Sequence, residues 1–505
     1  MNPTLAPATA SPLVVGQPQG LVPSIAGLSH WSLALPEIVL ALLGLLILVY
    51  GVTRPRDSAL ACTMLVLAAL LVTAGLVIQS PDGAAYGGLV VVDAFSRFAQ
   101  VLILAGAALT TVLALDYNEK QEIARFEFPL LVLFSTVGML VMAQAASLMT
   151  LYMGLELQSL AIYVLCSFAR DDVRSSEAGL KYFVLSALAS GLLLYGISLC
   201  YGFSGTMQFS LIAQALTNEG AAPGGTSVGL VIGIVFIVAG LAFKLSAVPF
   251  HMWTPDVYEG APTPVTAFMS TAPKVAPFAV LLRAMVVPFG HVLHDWQQLI
   301  ILVSICSMIL GSLAAIGQTS IKRLMAYSSI GHMGYALIGL AAGSEAGIRG
   351  TLIYLVTYVF MNAGTFACIV AMRRRGHALE RIADLGGLAK TDPVLALVMA
   401  VLMFSMAGVP PMSGFFGKLF VFQAAVQSGL WTLAVIGVLT SVIGLYYYLR
   451  VVKVMYFDEA EEAFDSRAAS LSFVAVVGGL FTFLFFLMPA PVVQAAETAA
   501  RALFG

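Results

Sequence analysis

Long apolar runs occupy most of the sequence, and short stretches of turn residues or charged residues separate them. An α-helix needs about 20 apolar residues to cross a bilayer. Fourteen runs have about this length or more, so the pattern predicts an all-α polytopic membrane protein with about 14 transmembrane helices. The predicted spans are 35–52, 58–78, 92–114, 126–145, 147–168, 177–201, 226–248, 262–285, 297–317, 320–343, 346–372, 394–430, 431–455 and 468–488.

Lysine and arginine are distributed unequally between the two sides of this pattern. The connections after odd-numbered spans hold 16 of the 24, five more lie within spans, and the opposite side holds only Arg283, Arg349 and Arg501. Cytoplasmic loops carry the excess of positive residues in membrane proteins. We therefore predict that the odd-numbered connections are cytoplasmic and that both termini lie outside.

Polar side chains also form stripes along four of the spans. A charged residue at mid-membrane costs about 2.5–3.5 kcal/mol on insertion scales, so the stripes with Glu156 and Lys274 indicate function. Polar residues also join helices in membrane bundles, and the stripe of span 11 fits that interpretation equally well. The stripes are Tyr152, Glu156, Ser159 and Tyr163; Thr266, Ser270 and Lys274; Ser328, His332 and Tyr335; and Tyr354, Tyr358, Asn362 and Thr365.

Two spans contain proline-rich interruptions beside a lysine. Lys244 precedes Pro249 in span 7, and Pro410 and Pro411 precede Lys418 in span 12. Non-helical backbone at membrane depth is tolerated only beside protein or a water-filled cavity. Each interruption therefore predicts a polar pocket next to a lysine, although Pro249 is also compatible with a simple end of span 7.

The interruptions occupy matching places in two groups of five spans. Spans 4–8 and 9–13 begin on opposite sides of the membrane because five is odd, and spans 7 and 12 are each fourth in their group. This arrangement predicts two inverted repeats. The predicted organisation is a periplasmic N-terminal leader segment (1–34), three N-terminal transmembrane helices (35–115), a first and a second five-helix repeat (126–285 and 297–455), and a C-terminal transmembrane helix (468–488).

Composition narrows the possible functions. The chain is 60% hydrophobic and 10% charged with a net charge of -2, which argues against a nucleic-acid partner. The five cysteines fall singly in apolar runs, so we interpret them as small buried hydrophobic residues rather than as metal or iron–sulfur ligands. Residues 1–34 contain no basic residue and do not fit a cleavable signal peptide. No nucleotide-binding motif or haem ligand pair is evident.

Several stretches resemble the antiporter-like subunits of respiratory complex I, the proton-translocating NADH:quinone oxidoreductase. They include YMGLELQSLAIYVL (152–165), FKLSAVPFHMWTPDVYEGAPTP (243–264), SIKRLMAYSSIGHMGY (320–335) and GVPPMSGFFGKLFVF (408–422). The third string is shared with Mrp-type cation/proton antiporters, whereas LPEI (35–38) and DAFSRF (93–98) favour the N-type subunit of bacterial NDH-1.

The resemblance implies a relay of titratable residues that carries protons across the bacterial inner membrane, with both termini periplasmic. It implies that Glu156 and Lys244 form the charged pair of a first half-channel and that Lys181 tunes this pair. Lys274 would be the central relay and Lys418 the lysine of a second half-channel. The sequence fits His251 and His332 equally well as relay members and as residues with satisfied hydrogen bonds. M-type and K-type subunits would be neighbours, and NADH, FMN, iron–sulfur clusters and quinone would bind to partner subunits rather than to this chain.

Two alternatives stay open on the sequence alone. An Mrp-type sodium/proton antiporter subunit would have the same fold without an NADH-driven partner. A solute permease would transport a substrate without partner subunits, but its charges should converge on one pocket rather than lie in separate stripes. An intramembrane redox enzyme is disfavoured because ligand residues are missing.

Overall fold

The computed structural model describes residues 31–54, 58–219 and 227–504 and is almost entirely helical. A short 3-10 helix, Trp31–Ala34, precedes the first α-helix. The predicted leader segment therefore falls largely outside the described residues. The α-helices are α1 (Leu35–Thr53), α2 (Ala59–Gln79), α3 (Ala94–Lys120), α4 (Glu127–Ala143), α5 (Leu148–Cys166), α6 (Val173–Ser204), α7 (Phe209–Glu219), α8 (Val228–Leu245), α9 (Thr254–Gly260), α10 (Thr263–Met269), α11 (Ala272–Val286), α12 (Leu293–Ile316), α13 (Ile321–Ala341), α14 (Glu345–Val370), α15 (Leu388–Thr391), α16 (Pro393–Ala407), α17 (Ser413–Gln427), α18 (Trp431–Phe457), α19 (Ala469–Leu484) and α20 (Ala490–Phe504).

Ten helical segments within the described residues are long and apolar enough to cross a membrane, which confirms an all-helical membrane protein. They correspond to ten of the predicted spans. The other four predicted spans coincide with α4, α13, the pair α16 and α17, and α19. Of these, α4, α16 and α19 are shorter apolar helices, and α13 begins with two cationic residues, Lys322 and Arg323. The number fourteen thus stays a prediction.

The span predicted at 262–285 is present as Thr263–Val286, but it is divided into two helices rather than one continuous helix. The chain leaves the helical conformation at Thr271, with φ −115° and ψ −101°, and this residue separates α10 from α11. Pro273 explains the restart, because proline lacks an N–H but fits the first turn of a helix. The polar stripe predicted on this span is consequently divided between two helices, with Lys274 on the second.

The span 7 interruption begins earlier than its proline. Helix α8 ends at Leu245, four residues before Pro249, and helical structure resumes at Thr254 with the short α9. Span 12 is interrupted between Ala407 and Ser413.

Small elements complete the structure at the ends of the helices. A two-stranded antiparallel hairpin, β1 (Gly83–Ala85) and β2 (Val90–Val92), connects α2 to α3, and β3 (Arg373–Arg374) pairs with β4 (His377–Ala378) after α14. Helix α20, which the apolar pattern did not predict, packs Ala496, Ala499, Ala500 and Leu503 towards α3 and α14.

The central helices are buried on all sides, whereas the outer ones expose apolar side chains. The segment formed by α10 and α11 is entirely buried, and nearly all of α14 is buried. Helices α1, α2, α6 and α18 carry many exposed leucine, valine and aromatic side chains, as expected of surfaces that face lipid. The polar stripes of α13 and α14 therefore face protein rather than lipid.

Glycine contacts bring two helix pairs unusually close together. A Cβ atom on Gly138 of α4 would lie 2.4 Å from the backbone N of Gln158 in α5. A Cβ on Gly311 of α12 would lie 2.5 Å from the backbone N of Gly331 in α13. Small residues permit such close packing in membrane bundles. These contacts fix the helices that carry Ser159 and His332.

Candidate functional site

Lys244 lies in the last turn of α8 and is buried, with 3% of its surface exposed. Its Nζ donates to Ser186 Oγ of α6 at 2.5 Å and to Ser159 Oγ of α5 at 2.7 Å, and it lies 3.4 Å from Tyr163 Oη. The tyrosine hydroxyl itself donates to Ser186 Oγ at 2.6 Å. Two helices, α5 and α6, thus supply the hydroxyls around one buried ammonium of α8.

Aromatic rings complete the surroundings of Lys244. Its Nζ lies 5.5 Å from the ring centroids of both Tyr163 and Tyr182 and 5.9 Å from that of Phe243. Ring faces attract cations, and this attraction is strongest where water is excluded. The rings therefore offset part of the cost of burying the lysine.

Glu156 lies near this site without forming a direct ion pair with Lys244 among the described residues. It is half-buried on α5 and accepts a hydrogen bond from Ser190 Oγ of α6. Ser190 lies one turn after Ser186, which binds Lys244. The two charges of the predicted pair therefore do not contact each other, and each contacts a different serine of α6, Ser190 for Glu156 and Ser186 for Lys244.

Lys274 of α11 reaches the end of α8. It is 1% exposed, and its Nζ donates to Ser246 Oγ and lies 3.4 Å from the backbone oxygen of Lys244. Ser246 caps α8 in the left-handed conformation, with φ 62°. The lysine predicted as the central relay is thereby held against the helix that carries Lys244.

Trp253 packs between these two lysines. Lys274 Nζ lies 5.2 Å from its ring centroid, and its ring stacks on Tyr182 at 4.5 Å. Its Nε1 donates at 2.9 Å to the carbonyl of Phe243, which also accepts from the backbone N–H of Ser246. The tryptophan side chain thus links the stretch after α8 to the last turn of that helix.

A second polar group surrounds His332 of α13, which is 3% exposed. Its Nδ1 lies 2.6 Å from Tyr354 Oη of α14, and its Nε2 lies 3.0 Å from Tyr448 Oη of α18. Tyr448 Oη also lies 2.5 Å from Ser328 Oγ, one turn before the histidine. The stripes predicted for spans 10 and 11 meet here, as their inward orientation requires.

Lys418 of α17 lies beside the second interruption and is 6% exposed. Its Nζ donates to the backbone oxygens of Ala407 at 3.0 Å and Met406 at 3.2 Å, and to Ser441 Oγ of α18 at 2.9 Å. The ring centroid of Tyr335 lies 4.9 Å from the ammonium. This lysine therefore binds the carbonyls left free at the end of α16.

Lys181 lies away from the Glu156 site. Its side chain is 41% exposed and forms ion pairs with Glu177 at 2.7 Å and Asp256 at 2.9 Å. Arg323 of α13 pairs with the same aspartate at 2.9 Å. The structure thus places Lys181 in a charged network between α6, α9 and α13, and its predicted tuning role has no contact in support.

The remaining candidates make local contacts. Asn362 and Thr365 donate to carbonyls one turn earlier in α14, and Ser270 donates to Ala267 O. Such bonds satisfy side chains with carbonyls of the preceding turn and do not join different helices. His251 is half-buried in the stretch between α8 and α9.

The sequence pattern did not indicate several residues that contact the lysines. Tyr182, Ser186 and Ser190 recur every four residues along α6, a stripe as regular as the four described above. Ser246 lies between Leu245 and Ala247, and Ser441 follows Thr440, so neither serine belongs to a polar stripe with helical spacing.

Other ligand chemistry has little support in the described residues. Four of the five cysteines are buried and Cys306 is half-buried. Among residues 31–54, 58–219 and 227–504, no group of three or more His, Cys, Asp or Glu could hold a metal ion.

The chain is similar to known proteins over most of its length. The sequence profile of the family described as "NADH:quinone oxidoreductase/Mrp antiporter, TM" matches residues 145–444. NADH-quinone oxidoreductase subunit N of Granulibacter bethesdensis is 66% identical over 479 residues, which is 94% of this chain and 99% of the relative. The subunit N of Rhodospirillum rubrum is 58% identical over 476 residues, or 93% and 97% of the two chains.

Solved structures show the same fold. A chain of respiratory complex I from Thermus thermophilus with bound aureothin is 32% identical, with a TM-score of 0.78 over 91% of this chain and 98% of that one. A chain of the Mrp complex from a Dietzia species is 22% identical, with a TM-score of 0.82 over 94% and 98%. The second similarity concerns the fold alone.

Proposed function

Because the chain belongs to the NADH-quinone oxidoreductase subunit N family, we propose a route by which it carries protons between its helices. It is a proton-translocating membrane-arm subunit of that enzyme and hence part of a translocase. Family membership also favours the N-type interpretation over the two alternatives, an Mrp-type antiporter subunit and a solute permease.

The first half of the route runs from Glu156 to Lys274. Glu156 takes up a proton and passes it along the serine hydroxyls of α6 to Lys244, and Lys274 receives it at the end of α8. Hydroxyls suit this task because each can accept one hydrogen bond and donate another. The hydrogen bonds of Lys244 to Ser159 and Ser186 carry this proposal.

The second half runs from His332 to Lys418. His332 contacts two tyrosine hydroxyls, and Tyr335, one turn after it, donates to Thr440 Oγ1 at 3.2 Å and offers its ring to Lys418. We propose that water molecules link Lys274 to His332 and that Lys418 exchanges the proton with the far side through Ser441. His251 and Lys181 lie beside this route rather than on it.

We also propose fourteen spans in two inverted repeats, with the boundaries given above. The ends of α8 and α16 support this repeat: Ser246 and Gly408 both cap their helices in the left-handed conformation. Pro249 and Pro411 follow these caps at the same distance of three residues. The charge asymmetry supports our proposal that both termini are periplasmic.

The partners follow from family membership. We propose M-type and K-type membrane subunits as neighbours and place NADH, FMN, iron–sulfur clusters and quinone in other subunits. The exposed apolar surfaces of the outer helices are available to lipid and to such neighbours.

The test replaces Lys244 by alanine in the complete enzyme. NADH-driven acidification of inverted membrane vesicles measures pumping, NADH oxidation with an artificial acceptor measures the redox arm, and native gels measure assembly. We expect intact assembly, normal reduction of the acceptor and at least about a tenfold loss of pumping, since the shared proton site is gone. Lys120→Ala, which removes an ion pair with Asp116 outside this route, serves as the control. Wild-type pumping by Lys244→Ala would refute the route.

A further inference from the structure

The end of α8 carries a serine in a backbone conformation that favours glycine. Ser246 has φ 62° and ψ 29°, which L-residues with a Cβ adopt at an energetic cost. At the corresponding end of α16 the chain has Gly408, with φ 88°. Because glycine would satisfy the backbone here too, the side chain of Ser246 needs another explanation.

The hydroxyl of Ser246 is the principal partner of Lys274. The lysine Nζ donates to Ser246 Oγ, and its other acceptor is the backbone oxygen of Lys244, at 3.4 Å. Ser246 is fully buried and Lys274 nearly so. Without this hydroxyl the ammonium would keep only the longer bond to the carbonyl.

We propose that Ser246 is a positioning residue that holds the ammonium of Lys274 against the end of the helix carrying Lys244. This inference rests on the proposed route and adds a residue to it. The left-handed cap turns the serine side chain towards Lys274, and the hydroxyl then sets the distance between the two lysine sites. At the second interruption Gly408 leaves this space to Lys418, which binds the carbonyls of α16 directly.

The experiment compares four variants of the complete enzyme in membrane vesicles: Ser246→Gly, Ser246→Asn, Lys274→Met and the Ser246→Gly, Lys274→Met double variant. Glycine preserves the cap and removes the hydroxyl. Asparagine tolerates the left-handed conformation and offers an amide oxygen as acceptor. Ser304→Ala, which removes a buried hydroxyl that donates to Gly334 O at 2.7 Å, is the matched control.

We expect Ser246→Gly to assemble normally and to pump about tenfold more slowly, the effect of losing one hydrogen bond to a charged group. Ser246→Asn should pump faster than Ser246→Gly. In the Lys274→Met background Ser246→Gly should have no further effect, because both changes then break the same contact. The control should pump at the wild-type rate.

Other outcomes separate this inference from the route itself. If Lys274→Met pumps poorly while Ser246→Gly pumps normally, the positioning role is refuted and the route stands. Additive losses, loss of assembly in Ser246→Gly, or an assembled Ser246→Asn no faster than glycine would also refute it, since each indicates a structural role. Wild-type pumping by Lys274→Met would refute the proposed role of Lys274 in the route and this inference with it.

Discussion

The two interrupted helices end in the same way but place their lysines on opposite sides of the interruption. Helices α8 and α16 are both capped by a left-handed residue, Ser246 and Gly408. Lys244 precedes its cap by two residues and belongs to the helix that ends, whereas Lys418 follows its cap by ten residues on the next helix, α17. A shared backbone geometry therefore does not place the two charges equivalently.

The acceptors around the two lysines differ accordingly. Lys244 donates to side-chain hydroxyls of α5 and α6, while two of the three acceptors of Lys418 are backbone carbonyls. A carbonyl accepts hydrogen bonds but has no proton to pass on, whereas a hydroxyl does both. Among the described residues, the first lysine thus contacts several hydroxyls that can accept its proton and the second contacts one, that of Ser441.

The largest expected effect comes from the second lysine. Lys418→Arg keeps the charge, but arginine stays protonated at accessible pH. We expect the Lys418→Arg and Lys418→Ala enzymes to assemble and both to lose at least about tenfold in pumping, measured by vesicle acidification. Arg349→Lys, at an arginine 5.9 Å from the Phe420 ring, is a control that changes a cation outside the route. Normal pumping by Lys418→Arg would mean that the second site needs only positive charge.

A smaller loss of pumping is expected when Glu156 is changed. This residue gives the first site a carboxylate near its lysine, and the described residues of the second site include no corresponding one. Glu156→Gln keeps the contact with Ser190 but cannot release a proton, so pumping should fall about tenfold or less while reduction of an artificial acceptor persists. Glu156→Asp should retain part of the activity. Glu177→Gln, which changes an exposed carboxylate on α6, is the control. An assembled Glu156→Gln enzyme that pumps normally would remove Glu156 from the first site.

The number of hydroxyls at each lysine gives a sharper test. Ser441→Ala removes the one hydroxyl that Lys418 contacts, whereas Ser159→Ala leaves Lys244 with Ser186 and Tyr163. We expect pumping to fall about fivefold in Ser441→Ala and about twofold in Ser159→Ala, since remaining hydroxyls compensate only at Lys244. Equal losses in vesicle assays would contradict the difference drawn between the two sites.

The smallest expected effect is on stability. It concerns the ion pairs of Glu380, which join the two halves of the chain. Burial opposes ionisation of Glu380, but Lys322 and Arg174 hold the pKa of its carboxyl below the ordinary value of 4.5. Lys322 belongs to α13 and Arg174 to α6, with N–O distances of 3.1 Å and 2.7 Å. Because the folded-state pKa is lowered, this stabilisation is present above about pH 4.5 and is lost as the pH falls through the lower value.

We therefore expect Glu380→Gln to lower the free energy of unfolding of the purified complex by about 1 kcal/mol at pH 7, and by less as the pH approaches 4. Glu462→Gln, which changes an exposed carboxylate paired with Arg375, should have no such pH-dependent effect. A stability difference that does not change between pH 7 and pH 4 would assign the effect to packing.

The site residues that could be predicted from the sequence belong to residue types that are rare in membrane helices. Lysines at membrane depth are costly, so Lys244, Lys274 and Lys418 stand out in the apolar pattern, and the structure buries all three. Serines are common in such helices, so Ser186 and Ser246 do not stand out in the same way. Whether a serine binds a lysine or its own helix depends on the rotation of neighbouring helices.

Two further differences have local causes. The stripe of span 8 assumes a continuous helix, although Pro273 in the sequence fits the first turn of a new helix after Thr271. The family resemblance associates Lys181 with the Glu156 site, yet Asp256 of the short α9 binds this lysine instead. Helix α9 itself follows an interruption, so its position could not be predicted from periodicity.

The glycine contacts between α4 and α5 and between α12 and α13 have a mechanical consequence. Backbone atoms touch at Gly138 and Gly311, so neither pair can slide by one residue without a larger side chain entering the contact. These helix pairs are therefore rigid, whereas lysine and glutamate side chains change rotamer within nanoseconds when they have room. Proton transfer in this subunit should therefore involve movement of side chains between helices whose positions stay fixed. A bulky residue at either glycine should disturb the packing of the helices before it affects these side chains.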